Sequence, residues 1–245
     1  MKLLTLFTLA VCISLTALGQ SETIRGISNA YALEENRYEG IQGDPFLFAE
    51  PVEAVATNQA KGLVDKYMIN YNGHTGQIEF HLNGEIYELD QSYYDEVTVA
   101  SFEPGEDYPE KYAPEGLKFV KGLDKSNPDK HQILLYADAE VAFYKEFNVR
   151  YSERKINDPS RGIITKELFY PSFMYKTVKD GKVEILKLKK DNVLEAIGNK
   201  QVADFASKNK LKLKDEKELM QVLNYYAEIN TTDEPTSDAV ARKTN

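Results

Sequence analysis

Apolar and polar side chains alternate with a period of two along much of the first half of the chain. Tyr67, Ile69 and Tyr71 alternate with Met68 and Asn70, and Ile78, Phe80 and Leu82 alternate with Glu79 and His81. This is the pattern of strands with one buried face. Turn chemistry separates the runs. Asn72-Gly73 and Thr75-Gly76 bracket one reversal, and Asn83-Gly84 suits a two-residue type I′ turn, in which both central residues need positive φ. Strands are therefore predicted over 52–57, 63–71, 77–82, 85–89 and 96–102, forming a five-strand antiparallel meander. Asp44-Pro45-Phe46-Leu47-Phe48 precedes them and marks entry into the fold.

Residues 103–116 hold three prolines, two glycines, two tyrosines and five acidic residues, a composition that cannot build a core and predicts a surface loop. Strands resume at 117–121 and 132–136. Val141, Phe143, Phe147, Val149 and Tyr151 then mark one face of a long strand, with Lys145 interrupting it. Residues 152–163 read as a polar connection. The runs 173–179 and 182–188 flank Asp180-Gly181, a second hairpin turn.

From Asp191 the period changes to three and four. Val193, Leu194 and Ile197 suit one helix, Val202, Phe205 and Ala206 a second, and Leu219, Val222, Leu223 and Tyr226 a third. Gly198-Asn199 ends the first. Asp215 with Glu218 gives a capping-box-like start to the last. The expected architecture is α+β: a curved antiparallel sheet of residues 44–189 followed by a small helical subdomain of residues 190–229. An extended arm (20–43) precedes it and a polar tail (230–245) follows.

The apolar run at the N-terminus has another meaning. Lys2 supplies a positive start, Leu3 to Leu18 are apolar or small, and Ala17 with Gly19 suit the positions before a cleavage site. Residues 1–19 are read as a secretory signal peptide, removed before Gln20. A retained anchor is disfavoured, because a bilayer span needs about 20 apolar residues. Leu9-Ala10-Val11-Cys12 loosely matches a lipidation box, but Val11 fits it poorly and the apolar run continues past Cys12, so that cysteine belongs to the leader.

Cleavage removes 19 of the 245 residues and leaves 226, enough for one sizeable domain. It also removes the only cysteine, which excludes disulfides, thiolate metal sites and cysteine nucleophiles from the mature chain. Without Lys2 there are 29 basic against 39 acidic residues, a net charge of minus 10. Nucleic acid is therefore not an expected partner, nor is an anionic membrane surface. The charge is uneven: between Glu85 and Glu110 there are nine acidic residues and no lysine or arginine, whereas residues 187–217 are lysine-rich. The two regions either attract one another or form separate solvated faces.

No catalytic or cofactor motif emerges. His74, His81 and His131 lie in different segments without metal-ligand spacing and read as single surface residues. Ser152-Glu153-Arg154-Lys155 matches the SxxK spacing but lacks its companion motifs. Asp90, Asp95 and Glu96 could supply acid–base chemistry, yet carboxylates are abundant throughout and the calcium-loop spacing is missing. Glycine-rich phosphate loops are absent. No catalytic, cofactor or metal residues are assigned. The candidate recognition surface is the acidic stretch bearing Tyr93, Tyr94, Asp95, Tyr108 and Tyr112, with the tyrosines taken as exposed.

The exported leader, the GDPFLF segment (residues 43–48), the Asn-Gly meander and the closing LKLKDEKELMQVLNYY helix (residues 211–226) resemble a group of uncharacterised exported bacterial envelope proteins. The likeness is closest over residues 186–226. It implies class and location in the periplasm or at the cell surface, and no activity. The leading expectation is a soluble, non-enzymatic binding or scaffolding protein whose partner is another envelope protein. A carrier of a lipid or other hydrophobic ligand is the runner-up, with Tyr67, Ile69, Ile78, Phe80 and Phe143 lining its trough. A hydrolase using paired carboxylates is the third reading.

Overall fold

The computed structural model describes residues 32–109 and 114–232. Predictions that fall on the leader, on Tyr112 and on most of the tail lie outside these residues. Ten strands form one antiparallel sheet: β1 (Val52–Asn58), β2 (Leu63–Asn72), β3 (Gln77–Leu82), β4 (Glu85–Glu88), β5 (Glu96–Val99), β6 (Leu117–Val120), β7 (Gln132–Ala137), β8 (Val141–Asp158), β9 (Gly162–Lys179) and β10 (Lys182–Ile185). Helices α1 (Lys190–Ile197), α2 (Lys200–Lys208) and α3 (Glu216–Thr232) follow. The α+β architecture is as expected.

The sheet order is β10-β9-β8-β7-β6-β5-β1-β2-β3-β4. The five-strand meander is corrected here. Strand β5 does not continue beside β4 but returns to pair with β1, Ala56 opposite Val97. Both turn predictions hold: Asn83 and Gly84 have φ of 52° and 83°, and Asp180 and Gly181 have 51° and 71°.

The sheet is open in its hydrogen-bond order yet strongly rolled. Strands β2 and β8 are five places apart, which on a flat sheet would be about 24 Å. Instead the Tyr71 and Phe147 rings lie 6.3 Å apart, and the Val149 N–H donates to the Gly73 carbonyl at 2.9 Å. Such an approach leaves no room for a side chain at position 73, where a Cβ would stand 2.5 Å from Phe147 Cδ1. The GDPFLF segment seals the roll. Its Leu47 N–H donates to Tyr71, its Pro45 carbonyl accepts from Gly73, and Gln42 just before it exchanges bonds with Glu167 and Phe169 of β9. Residues 32–43, expected as part of an extended arm, lie on the sheet instead: Leu33 bridges Ile86, and Arg37 pairs with buried Glu79.

Two cores result. Leu47, Phe48, Ile69, Ile78, Phe80 and Tyr94 fill the roll, together with Phe119 and Phe147. Val141, Phe143 and Tyr175 of β8 and β9 instead meet Val193, Val202 and the Leu219, Val222, Leu223, Tyr226 stripe of α3. Three of the helix termini are chemically specified. Gly198 ends α1 in the left-handed conformation, Asn199 Oδ1 accepts from Gln201 and Val202 to start α2, and Asp215 Oδ1 accepts from Glu218 N–H at 2.9 Å. Among the described residues no helix is long and apolar enough to cross a membrane.

The polar connection over 152–163 is also corrected. Strands β8 and β9 run on as a hairpin, paired in register from Val141 opposite Lys179 to Asp158 opposite Gly162. Asp158 Oδ1 closes the tip by accepting from Ser160 and Arg161. Water reaches both faces there, so the hydrophobic alternation that betrays a half-buried strand does not arise.

Candidate functional site

Position 145 belongs to the inward face of β8, between Phe143 and Phe147, where a lysine is costly to bury unless paired. Its Nζ lies 2.8 and 2.7 Å from the two carboxylate oxygens of Glu216, and neither side chain is exposed at all. Tyr175 OH donates to Glu216 Oε2 at 2.8 Å, and the Phe173 ring stands 4.0 Å from the ammonium. Glu216 also occupies the first turn of α3, where the helix dipole favours a carboxylate. The cluster joins the two cores and fixes α3 on the sheet. The sequence shows Lys145 as an interruption of an apolar face; its partner 71 residues away has no local signal.

The described residues of the predicted recognition surface, Tyr93, Tyr94, Asp95 and Tyr108, are not gathered on one surface. Tyr94 is fully buried, which corrects its reading as an exposed tyrosine: its hydroxyl lies 2.7 Å from Tyr67 OH and donates to Asp65 at 2.9 Å. Burial, with those two partners, raises its pKa. Tyr93 is half-buried under Lys61, whose Nζ is 3.7 Å from the ring. Asp95 accepts from Gln59 N–H at 2.8 Å and pairs with Lys121 at 3.3 Å, and these contacts hold its carboxyl below the usual range. Tyr108 is elsewhere, half-buried, its ring against Phe173 and its hydroxyl 3.4 Å from Lys145.

His131 is buried, not superficial, because the turn at Gln91 covers the start of β7 and accepts its backbone N–H at 2.9 Å. Among the described residues neither ring nitrogen makes a well-formed hydrogen bond, although the Tyr94 carbonyl acts on the ring. Burial, reinforced by the nearby charge of Lys121 and only partly opposed by Asp95 and the Tyr94 carbonyl, pushes its pKa down to about 4. His74 and His81 lie apart from it on the turn after β2 and on β3. Among the described residues no group of three or more His, Cys, Asp and Glu side chains is placed to hold a metal ion.

The predicted carboxylate set does not converge either. Asp90 accepts from Ser92, Asp95 pairs with Lys121, and Glu96 with Lys118 at 2.7 Å. Asp44, Glu106 and Asp107 come together instead, in an open cleft of about 630 Å³ against residues 168–171 of β9. Two of these three hold backbone: Asp44 Oδ1 accepts from Phe46 and Asp107 Oδ2 from Asp44 N–H. Of the trough residues, Ile69, Ile78 and Phe80 are packed into the first core with Tyr67 against it, and Phe143 lies in the second. Ser152 and Lys155, three apart on a strand, point to opposite faces.

The remaining feature is the outer part of the β8–β9 hairpin, from Arg150 to Tyr170. Tyr151 and Phe169 still pack on the roll, and beyond them each strand extends about 23 Å at about 3.3 Å per residue. Strand β7 pairs with β8 only as far as Lys145, and β10 pairs with β9 only from Lys176 onward. Beyond them, Gln42 against Leu168 is the one bridge to the arm among the described residues. Like charges face each other across it: Glu153 opposite Glu167 and Arg154 opposite Lys166, pairings that destabilise an isolated hairpin. Ile163 at the tip is 76% exposed, and Tyr170 at the base is 39% exposed beneath Arg150. Comparison with known proteins finds no matching family model, no similar curated protein and no similar solved structure.

Proposed function

We propose that this is an exported, non-enzymatic binding or scaffolding protein of the bacterial cell envelope that engages its partner through the β8–β9 arm. The leader supports export. The arm carries the binding reading: it projects from the rolled sheet, has strand edges unpaired by other described residues over most of its length, and sets like charges opposite one another where an opposite charge from outside would relieve them. Its outer part, beyond Tyr151 and Phe169, contributes to neither core among the described residues.

The test is photo-crosslinking in cells. A benzophenone amino acid at Ile163 or Tyr170 is expected to yield a defined adduct in the envelope fraction, while one at exposed Val64 on β2 yields none. Replacing residues 154–166 by Asn-Gly closes the Glu153–Glu167 pair with a two-residue turn. This shortened chain is expected to melt like the parent while losing the adduct at Tyr170. Adducts from Val64 alone, or none from any arm position, would refute the proposal.

A further inference from the structure

We infer that the partner of the arm is a second copy of this chain, bound by antiparallel two-fold pairing of the arms, which rests on the reading of the arm as the docking element. One face of the arm presents Arg150, Arg154 and Lys166, all exposed, and between Arg150 and Ile156 it carries no carboxylate. Ile156, Ile164, Leu168 and Tyr170 supply the apolar part of the same face. The acidic cleft of Asp44, Glu106 and Asp107 lies at the base of the arm, against residues 168–171. Burial and the charges of Asp107 and Glu106 raise the Asp44 pKa, although its hydrogen bond from Phe46 opposes this, as expected where carboxylates gather.

The spacing makes the two patches self-complementary. Lys166 and Tyr170 are four residues apart on β9, about 13 Å. A two-fold axis near Leu168 therefore sets Arg154 and Lys166 of each copy at the cleft of the other, and the same patch serves both sides, as an isologous contact requires. A polyanion is a poorer occupant, because it would also meet the acidic cleft. The shared face measures about 30 by 10 Å per arm, at the small end for protein contacts. The association is accordingly weak and concentration-dependent.

Sedimentation velocity on the purified, processed full-length chain tests this directly. The parent is expected to shift from monomer to dimer across the micromolar range. Arg154→Glu with Lys166→Glu, and separately Glu106→Lys with Asp107→Asn, should each weaken dimerisation at least tenfold. Asn at position 107 keeps the acceptor for Asp44 N–H, and unchanged melting of both variants checks that the fold is intact. Mixing the two variants should restore dimers, because each then offers the other a contact of opposite charge. A parent that stays monomeric, or a dimer that neither variant weakens, overturns the inference. If the arm then crosslinks to a protein of different mass, the binding role of the arm stands and only self-association fails; if no adduct forms either, both fail.

Discussion

Removing one member of the Lys145–Glu216 pair should unfold much of what the pair holds, although the intact pair adds little net stability. Two unit charges 2.7 Å apart attract by about 6 kcal/mol at an effective dielectric near 20. Taking both ions out of water costs several kcal/mol each, so attraction and desolvation nearly cancel. Glu216→Gln leaves the ammonium buried with a neutral partner and should cost about 3–5 kcal/mol, a large share of the 5–15 kcal/mol typical of a domain. Lys145→Met should cost a similar amount. The double variant keeps an acceptor for Tyr175 OH and removes both charges, so it should recover to within about 2 kcal/mol of the parent, a coupling of at least about 4 kcal/mol. Equilibrium unfolding in urea measures this, with far-UV circular dichroism following the helices and tyrosine fluorescence the sheet, since the chain has 16 tyrosines and no tryptophan. Single variants that lose less than about 1 kcal/mol, the range of exposed ion pairs, or a double variant no better than the worse single one, would refute the assignment of a buried, coupled pair.

His131 gives a pH signature. Its pKa is about 4 in the folded chain against 6.5 as the ordinary value, so the unfolded chain binds the extra proton first. The stability associated with it is present above pH 6.5 and is lost as pH falls toward 4, about 3 kcal/mol in all. His131→Phe should remove that part of the slope; urea midpoints of parent and variant that move in parallel between pH 7 and 4 would contradict it. Gly73→Ala forces a Cβ to within 2.5 Å of Phe147 and 2.7 Å of Val149 and should cost about 1–3 kcal/mol by overpacking, whereas Gly84→Ala, with nothing within 4 Å, feels only the positive φ. Equal melting temperatures for the Gly73 variant and the parent would exclude the close closure of β2 on β8.

Where one face of an element is buried and its ends carry turn residues, the chain is legible. Strands β1 to β4, the Asn83-Gly84 and Asp180-Gly181 turns and the three helical stripes are all of this kind. What escapes is of three sorts. The partner of a strand is not written in its own period, so β5 could not be placed beside β1. A strand with water on both faces has no alternation, so the arm reads as a loop. Burial by a distant segment is invisible locally: Tyr94 and His131 look like surface residues until β2 and the turn at Gln91 cover them, and Lys145 looks like a flaw until α3 delivers Glu216. The predicted recognition stretch fails as a unit for the same reason. Tyr93 and Tyr94 are adjacent on a strand approach and turn to opposite sides, one toward Lys61 and the other toward Asp65.

The two strands that form the arm are also the ones that join the cores. Val141, Phe143 and Tyr175 are packed under the helices, Lys145 is fixed to Glu216, and Phe147, Val149 and Phe169 fill the roll before the hairpin leaves it. The arm is thus a cantilever with three successive anchors along about 30 Å of paired strand, and its base cannot tilt without disturbing the close fit at Gly73 or the buried ion pair. This explains how a hairpin with two like-charge pairs keeps its register to the tip: the anchored portion sets the register, and the unfavourable portion inherits it. If the arm binds as proposed, its base is already held in place by these anchors, so ordering it would cost little entropy, which would suit a contact too small to be stable by area alone.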